Sequence, residues 1–266
     1  MRVQRGFTLT ELVMVIVILG IVAAISTRFI QFSTQGALDT ANRQRMSLTS
    51  GIASELISRS LRSALPGSVR TSAGGECIEF FPIVAGSRYR TGSGGFEARQ
   101  PLDSFKTESF TGDTERAGWV VVYPYAEPGF PDELYGSDAE TRASLSGVSE
   151  SGPVTVNIDG THEFPEDSPQ QRVFLTSDPV SFCRGTDGED RYLFRHTGYS
   201  YGISPGPPSD GRKEVIAAQL TGGPAFSFTP PTRRRNGVVT FEMTFASGSA
   251  DEALTVNQEV QIRNVP

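Results

Sequence analysis

Cysteine, histidine and tryptophan are almost missing from this chain, with 2, 2 and 1 residues respectively among 266. Two cysteines exclude a disulfide-dense mini-scaffold. Joined to His162 and His196, which lie far from them and from each other, they do not form a zinc-binding pattern either. An excess of positive charge is also missing. With 24 Lys+Arg against 30 Asp+Glu and a net charge of −6, the chain is not built mainly to neutralise nucleic-acid phosphates. Disorder is excluded by 17 Phe and 7 Tyr, enough aromatic surface to nucleate a core. The 28 Gly and 17 Pro, set among Ser, Thr and aromatics, lean toward strands and turns.

Charge is absent altogether from residues 12–27, and from 12 to 25 every residue except Gly20 is apolar. Arg2 and Arg5 precede this run. The run is shorter than the roughly 20 residues of a spanning helix and also suits a cleaved secretory leader, for which Val22-Ala23-Ala24 offers a cleavage site. Extending it back through Leu9 and Phe7 reaches spanning length but takes in Glu11, a carboxylate that is costly to bury without a partner. Proline is missing from residues 31–65. There Leu48, Ile52, Leu56, Leu61 and Leu65 recur at helical spacing before Pro66-Gly67. The pattern predicts a helix over residues 7–65, about 59 residues and about 88 Å long, whose second half presents an apolar stripe to a globular domain. Gly36 is its weakest point.

The segment Gly6-Phe7-Thr8-Leu9-Thr10-Glu11-Leu12-Val13, followed by the apolar run, resembles the processing and methylation motif of type IV prepilins and type II secretion pseudopilins. The resemblance implies that prepilin peptidase cuts between Gly6 and Phe7 and that the new Phe7 amine is N-methylated. It also implies that Glu11 pairs with the Phe7 amine of a neighbouring subunit during assembly. Thr10 stands where the family usually has an aliphatic residue. An ordinary single-span anchor, with Glu11 at the membrane interface, is the bland alternative. The two arginines before the apolar run place the leader in the cytoplasm and all beyond Arg28 on the far side.

After Pro66 the pattern changes to short runs rich in Val, Phe, Tyr and Thr between turn residues. They predict strands at 77–83, 119–125, 154–158, 172–175, 180–183, 192–203, 214–220, 226–229, 238–245 and 258–265. Asn236-Gly237 is a turn signal ahead of Val239, Phe241, Met243 and Phe245, which share one face. The expected fold class is α+β: a long N-terminal helix packed on an antiparallel sheet, pilin-like, with one sheet covering one helix. The expected organisation is a leader at 1–6, a membrane and filament-core helix at 7–28, its amphipathic half at 29–66, and a β-rich periplasmic domain at 67–266. Residues 86–118 and 127–152, rich in Gly, Ser, Pro and acids, are expected to be long surface loops.

The later segments resemble the larger minor pilins. Cys77-Ile78-Glu79-Phe80-Phe81-Pro82-Ile83, Pro179-Val180-Ser181-Phe182-Cys183 and Asn264-Val265-Pro266 look most like the minor pilins of the mannose-sensitive haemagglutinin (MSHA) pilus. That resemblance implies a single-pass inner-membrane protein that later enters a pilus or its tip. Its partners would be prepilin peptidase, other major and minor pilins and the inner-membrane assembly platform. A type II secretion pseudopilin and a tip adhesin acting through its long loops are the alternatives. In an oxidising compartment Cys77 and Cys183 form either one disulfide or two buried thiols.

Other motifs carry less. Gly202-Ile203-Ser204-Pro205-Gly206 has the letters of a hydrolase nucleophile elbow, but Pro205, Pro207 and Pro208 forbid the helix that must follow. Arg233-Arg234-Arg235 reads as a solvated turn tip, so no nucleic acid is expected. Asp187-Gly188-Glu189-Asp190 offers too few spaced oxygens for calcium. The sequence predicts no enzyme, no metal and no cofactor.

Overall fold

The computed structural model describes residues 8–124, 132–150, 152–186, 188–202, 204–231, 235–246 and 252–262. Helix α1 runs without interruption from Leu9 to Arg62, through Gly36. The chain divides into two compact units, Met1–Ser47 and Leu48–Pro266. In the first, the apolar residues between Leu9 and Phe32 stand exposed, and the helix is long and apolar enough to cross a membrane.

In the second unit the helix buries Ser50, Ala53, Ser54, Ile57, Ser58 and Leu61, which recur at three- and four-residue spacing on one face. This corrects the expected stripe. Leu61 and Leu65 are buried and Leu56 is half-buried, but Leu48 and Ile52 are 58% and 65% exposed. The buried face is built largely from serine and alanine, whose small side chains let the sheets approach, so a search for large apolar residues finds the wrong side. The helix also ends earlier than the Pro66 stop signal. The Leu65 amide donates to the Phe81 carbonyl (2.7 Å) and the Ile83 amide to the Ser63 carbonyl (2.7 Å), drawing the last residues into strand-like pairing.

Strands β1 (Arg70–Thr71) and β2 (Cys77–Phe80) follow. Then come β3 (Ile83–Arg88), β4 (Pro101–Lys106), β5 (Thr111–Gly112), β6 (Trp119–Val121), the short helix α2 (Asp132–Tyr135), β7 (Arg142–Ser149), β8 (Thr155–Glu163) and β9 (Arg172–Thr176). The chain closes with β10 (Val180–Arg184), β11 (Tyr192–Thr197), β12 (Arg212–Ala218), β13 (Leu220–Thr229), β14 (Gly237–Ala246) and β15 (Ala253–Ile262). The α+β expectation holds: every strand pairing is antiparallel, in sheets ordered β1-β2-β10-β11-β12 and β13-β14-β15, with a third containing β3 to β9. The first two sheets share a core with Ala53, Ile57 and Leu61 of the helix, in which Phe80, Phe182, Phe241 and Phe245 are buried.

The third sheet is an insertion between β2 and β10, and it closes on itself. Its order is β4-β8-β7-β6-β9-β3-β5, and the end of β3 pairs back onto the end of β4. The Arg90 amide donates to Lys106, the Glu108 amide donates to Arg88, and Tyr89 bridges Thr107. Closure removes free edges. Gly112 permits a close approach: its φ is +126° and a Cβ there would lie 2.2 Å from the Val84 carbonyl oxygen. Inside, Phe96, Phe105 and Phe164 pack with Tyr89 and Val120 as a core separate from that on the helix. Two expectations are thereby corrected. The stretches 86–118 and 127–152 are not merely long loops, since they contribute β4, β5 and β7, although 125–131 and 151 lie outside the described residues. The head has a barrel core in addition to the sheet on the helix. Barrel strands such as β4 (PLDSFK) alternate against a polar exterior and carry too few large apolar residues for run-based detection.

The insertion is rooted where β2 and β10 lie side by side. Cys77 and Cys183 are paired residues of that ladder and form a disulfide, the first of the two alternatives open for these cysteines. On the outer face of the same strands, Arg70 donates from Nε to Glu79 Oε2 (2.7 Å), both side chains being 5% exposed. Tyr199 donates to the other Glu79 oxygen (2.6 Å). The Arg70 guanidinium lies 3.4 Å from the ring centre of Tyr135, whose hydroxyl donates to the Ser68 carbonyl. Arg142, from the barrel, stacks 3.9 Å from the Trp119 ring centre and donates to the Tyr201 hydroxyl (2.7 Å) and the Gly136 carbonyl (3.0 Å). Burial first, and the Glu79 charge second, hold the Tyr135 and Tyr199 hydroxyls well above the usual phenol range, so both stay protonated as donors.

Glu79→Gln removes the carboxylate charge paired with the buried Arg70 guanidinium and should lower stability by about 3–5 kcal/mol, read from the urea midpoint. Glu108→Gln, in the exposed pair with Arg90, should cost under about 1 kcal/mol. The double variant Cys77→Ser/Cys183→Ser opens a long covalent loop and should lose about 2–5 kcal/mol in the same measurement.

Candidate processing and assembly site

The start of α1 is set by Thr8 and Glu11. Thr8 Oγ1 accepts from the Glu11 amide (3.3 Å), and Glu11 Oε2 accepts from the Thr8 amide (3.0 Å) and the Thr8 hydroxyl (2.9 Å). This reciprocal pair is a capping box, satisfying helix-end donors that otherwise have no intrahelical partner. The spacing Thr8-x-x-Glu11 was the available signal in the sequence, and a reading of Glu11 as an intersubunit partner alone passes over it. Gly6 and Phe7, the residues expected to flank the cleavage point, lie outside the described residues, as do Arg2 and Arg5. The structure therefore places Glu11 at the first turn of an apolar, exposed helix, immediately after the segment expected to be cut.

Glu189 pairs with Lys213, and Asp190 receives a guanidinium contact from Arg184. These acids are neutralised rather than gathered around a cation, and Asp187 lies outside the described residues. Among the described residues no group of three or more His, Cys, Asp or Glu could hold a metal. His162 contacts the Glu140 carbonyl (2.7 Å), whereas His196 is buried on β11. Burial, aided by nearby Lys213, holds the His196 imidazole below its usual range. Ser204 is exposed in a proline-rich loop, with Ile203 outside the described residues; Arg233 and Arg234 are outside them too.

A cleft of about 690 Å³ lies between the end of α1, strands β10–β12 and the root of the barrel. Its charges mostly answer one another. Arg212 lies 2.6 Å and Arg195 3.5 Å from Glu214, and Asp178 accepts from the Trp119 indole (3.0 Å). Arg116 is the lining guanidinium without an ion pair among the described residues. The Ser63 and Ser177 hydroxyls that line it donate to the Ser60 and Asp178 backbone carbonyls.

Residues 1–27 match the prokaryotic N-terminal methylation motif. The match supports a type IV prepilin-like protein. No curated protein and no solved structure matches the chain. The motif implies processing by prepilin peptidase and assembly of this prepilin-like chain with other pilins, and together with the apolar helix it fits a membrane-anchored protein.

Thr8→Ala removes the hydroxyl half of the capping box, leaving only the residue-8 amide on Glu11, and should cost about 1 kcal/mol at the helix start. Exchange of the Glu11 amide in detergent micelles should then accelerate about fivefold or more, while Thr8→Ser keeps the wild-type rate.

Proposed function

We propose that this chain is a minor pilin: a structural subunit, not an enzyme, that is cleaved after Gly6, N-methylated on Phe7 and joined to other pilins to build or prime a type IV pilus. The observation that carries the reading is the methylation motif running directly into an exposed apolar helix and then a large β-rich head. A head enlarged by an inserted barrel is bulky for a repeating shaft and favours a minor position. The MSHA pilus is the proposed system, supported by the segments around Cys77, Cys183 and Asn264. The last of these lies outside the described residues.

The leader is cytoplasmic and the head periplasmic in this reading, following Arg2 and Arg5. Glu11 is satisfied by Thr8 in the single chain and exchanges that partner for a neighbour's Phe7 amine on assembly, since a carboxylate packed among apolar helices needs a cation. A tip adhesin is the second reading. Because residues 86–118 and much of 127–152 build a barrel, that barrel rather than loose loops would be the binding module.

Mass spectrometry of the mature amino terminus should find N-methylphenylalanine at position 7; Met1 or an N-terminus after Ala24 overturns the proposal. Glu11→Ala should leave cleavage intact and sharply reduce the number of filaments, and wild-type piliation in that strain would remove the pairing argument.

A further inference from the structure

A strand at the rim of a sheet presents unpaired N–H and C=O groups, and proteins that stay apart blunt such rims with charge, proline, bulges, brevity or closure. Among the described residues, the rims of this head are blunted except at β15. The barrel has closed on itself. Strand β1 is two residues long. Strand β12 begins Arg212-Lys213-Glu214. Strand β13 carries Gly222, Gly223 and Pro224 and shifts register against β14 at both sides of them.

Strand β15 carries a single charge, Glu259, and none of the other devices. It runs ten residues, ALTVNQEVQI, with no Lys, Arg or Pro. It pairs with β14 in ten consecutive registers without a bulge, so its other side is a straight row of backbone donors and acceptors. No strand lies on that side among the described residues. The inner face is unfinished too. Val260 and Ile262 are buried in the core on the helix, but Leu254 and Val256, on the same face, are only half covered.

We infer that the free rim of β15 is a strand-addition site, filled by an extended segment of a second, different pilin-type subunit. The backbone would supply affinity and alternate side chains the specificity. The donor strand is apolar where it meets Leu254 and Val256 and basic on its opposite face. Strands β13 to β15 carry Glu242 and Glu259 and no Lys or Arg. A second copy of this chain would bring only the same acidic face, which like charges disfavour. The donor's identity as a pilin-type subunit rests on the prepilin-like reading; the rim itself does not.

The full chain in detergent micelles is incubated with a ten-residue peptide alternating Val with Thr and Lys, and amide exchange is followed over residues 253–262. Exchange there should slow about tenfold or more, and the same peptide with Glu for Lys, or with a central Pro, should need about tenfold higher concentration. Thr255→Lys/Gln261→Lys, at two exposed positions, should weaken the Lys peptide similarly while the melting temperature stays unchanged. No protection by the Lys peptide overturns the site. Equal protection by the Lys and Glu peptides overturns the basic donor. Protection that rises with protein concentration alone, with a dimer in light scattering, assigns the rim to a second copy and overturns the heterologous donor. The mature amino terminus, measured separately, distinguishes a failure of this inference from a failure of the pilin reading.

Discussion

The inserted barrel leaves its host at the end of β2 and returns at the start of β10, and those two strands are hydrogen-bonded neighbours. A force that pulls the two chain ends of the barrel apart therefore acts first on one short ladder. Non-directional burial around Phe80 and Phe182 would hold the strands together but would not fix their register. The Cys77–Cys183 bond, between residues already in register, closes a covalent loop around the whole insertion. In the chain-entropy view a loop of this size removes about 4–5 kcal/mol of unfolded-state freedom at most. The barrel can then breathe without its root separating.

The charged groups at the root answer a second requirement, the orientation of barrel on host. Apolar surfaces pack in many ways at similar energy, whereas a buried guanidinium tolerates few. Arg70 and Glu79 belong to the host, Arg142 and Trp119 to the barrel strands, and Tyr135 to α2 within the insertion. Tyr199 and Tyr201 reach in from the loop after β11. Each cation is held by both an aromatic face and oxygen acceptors, so a rotation of the barrel would strip several partners at once. Desolvation makes this costly if incomplete, which is why the same contacts that specify the join also make it vulnerable to one substitution.

What was legible in the sequence follows from how uniform each signal is. The long helix and its membrane character were plain because every residue from Leu12 to Leu19 repeats the same property. Strand β14 was plain because Val239, Phe241, Met243 and Phe245 alternate without exception. Cys77 and Cys183 each fell in a predicted strand, though only the fold could set them opposite one another. Strands β4 and β7 escaped because a closed barrel needs only one apolar face, and small residues such as Ser104 and Gly147 break the alternation. Leu48 and Ile52 misled for the opposite reason: they are large and periodic, yet the helix buries Ser54 and Ser58 instead. Arg70 and Glu79 gave no local sign, since two charges nine residues apart become partners only when β1 folds back on β2.

The molecule leaves two kinds of surface unfinished, and they differ in what they can specify. The apolar helix surface from Leu12 to Phe32 can be covered by lipid or by any similar helix, since dispersion and burial do not fix an axial step. Glu11, just ahead of that run, can set a position through a directional charge pair. The rim of β15 is directional along its entire length, because each backbone group accepts only a partner strand in register, and a slip by one residue reverses every side chain. A chain whose helix surface any similar helix can cover must carry its specificity elsewhere. In this chain the hydrogen-bonding capacity for doing so lies in the last strand rather than in the helix.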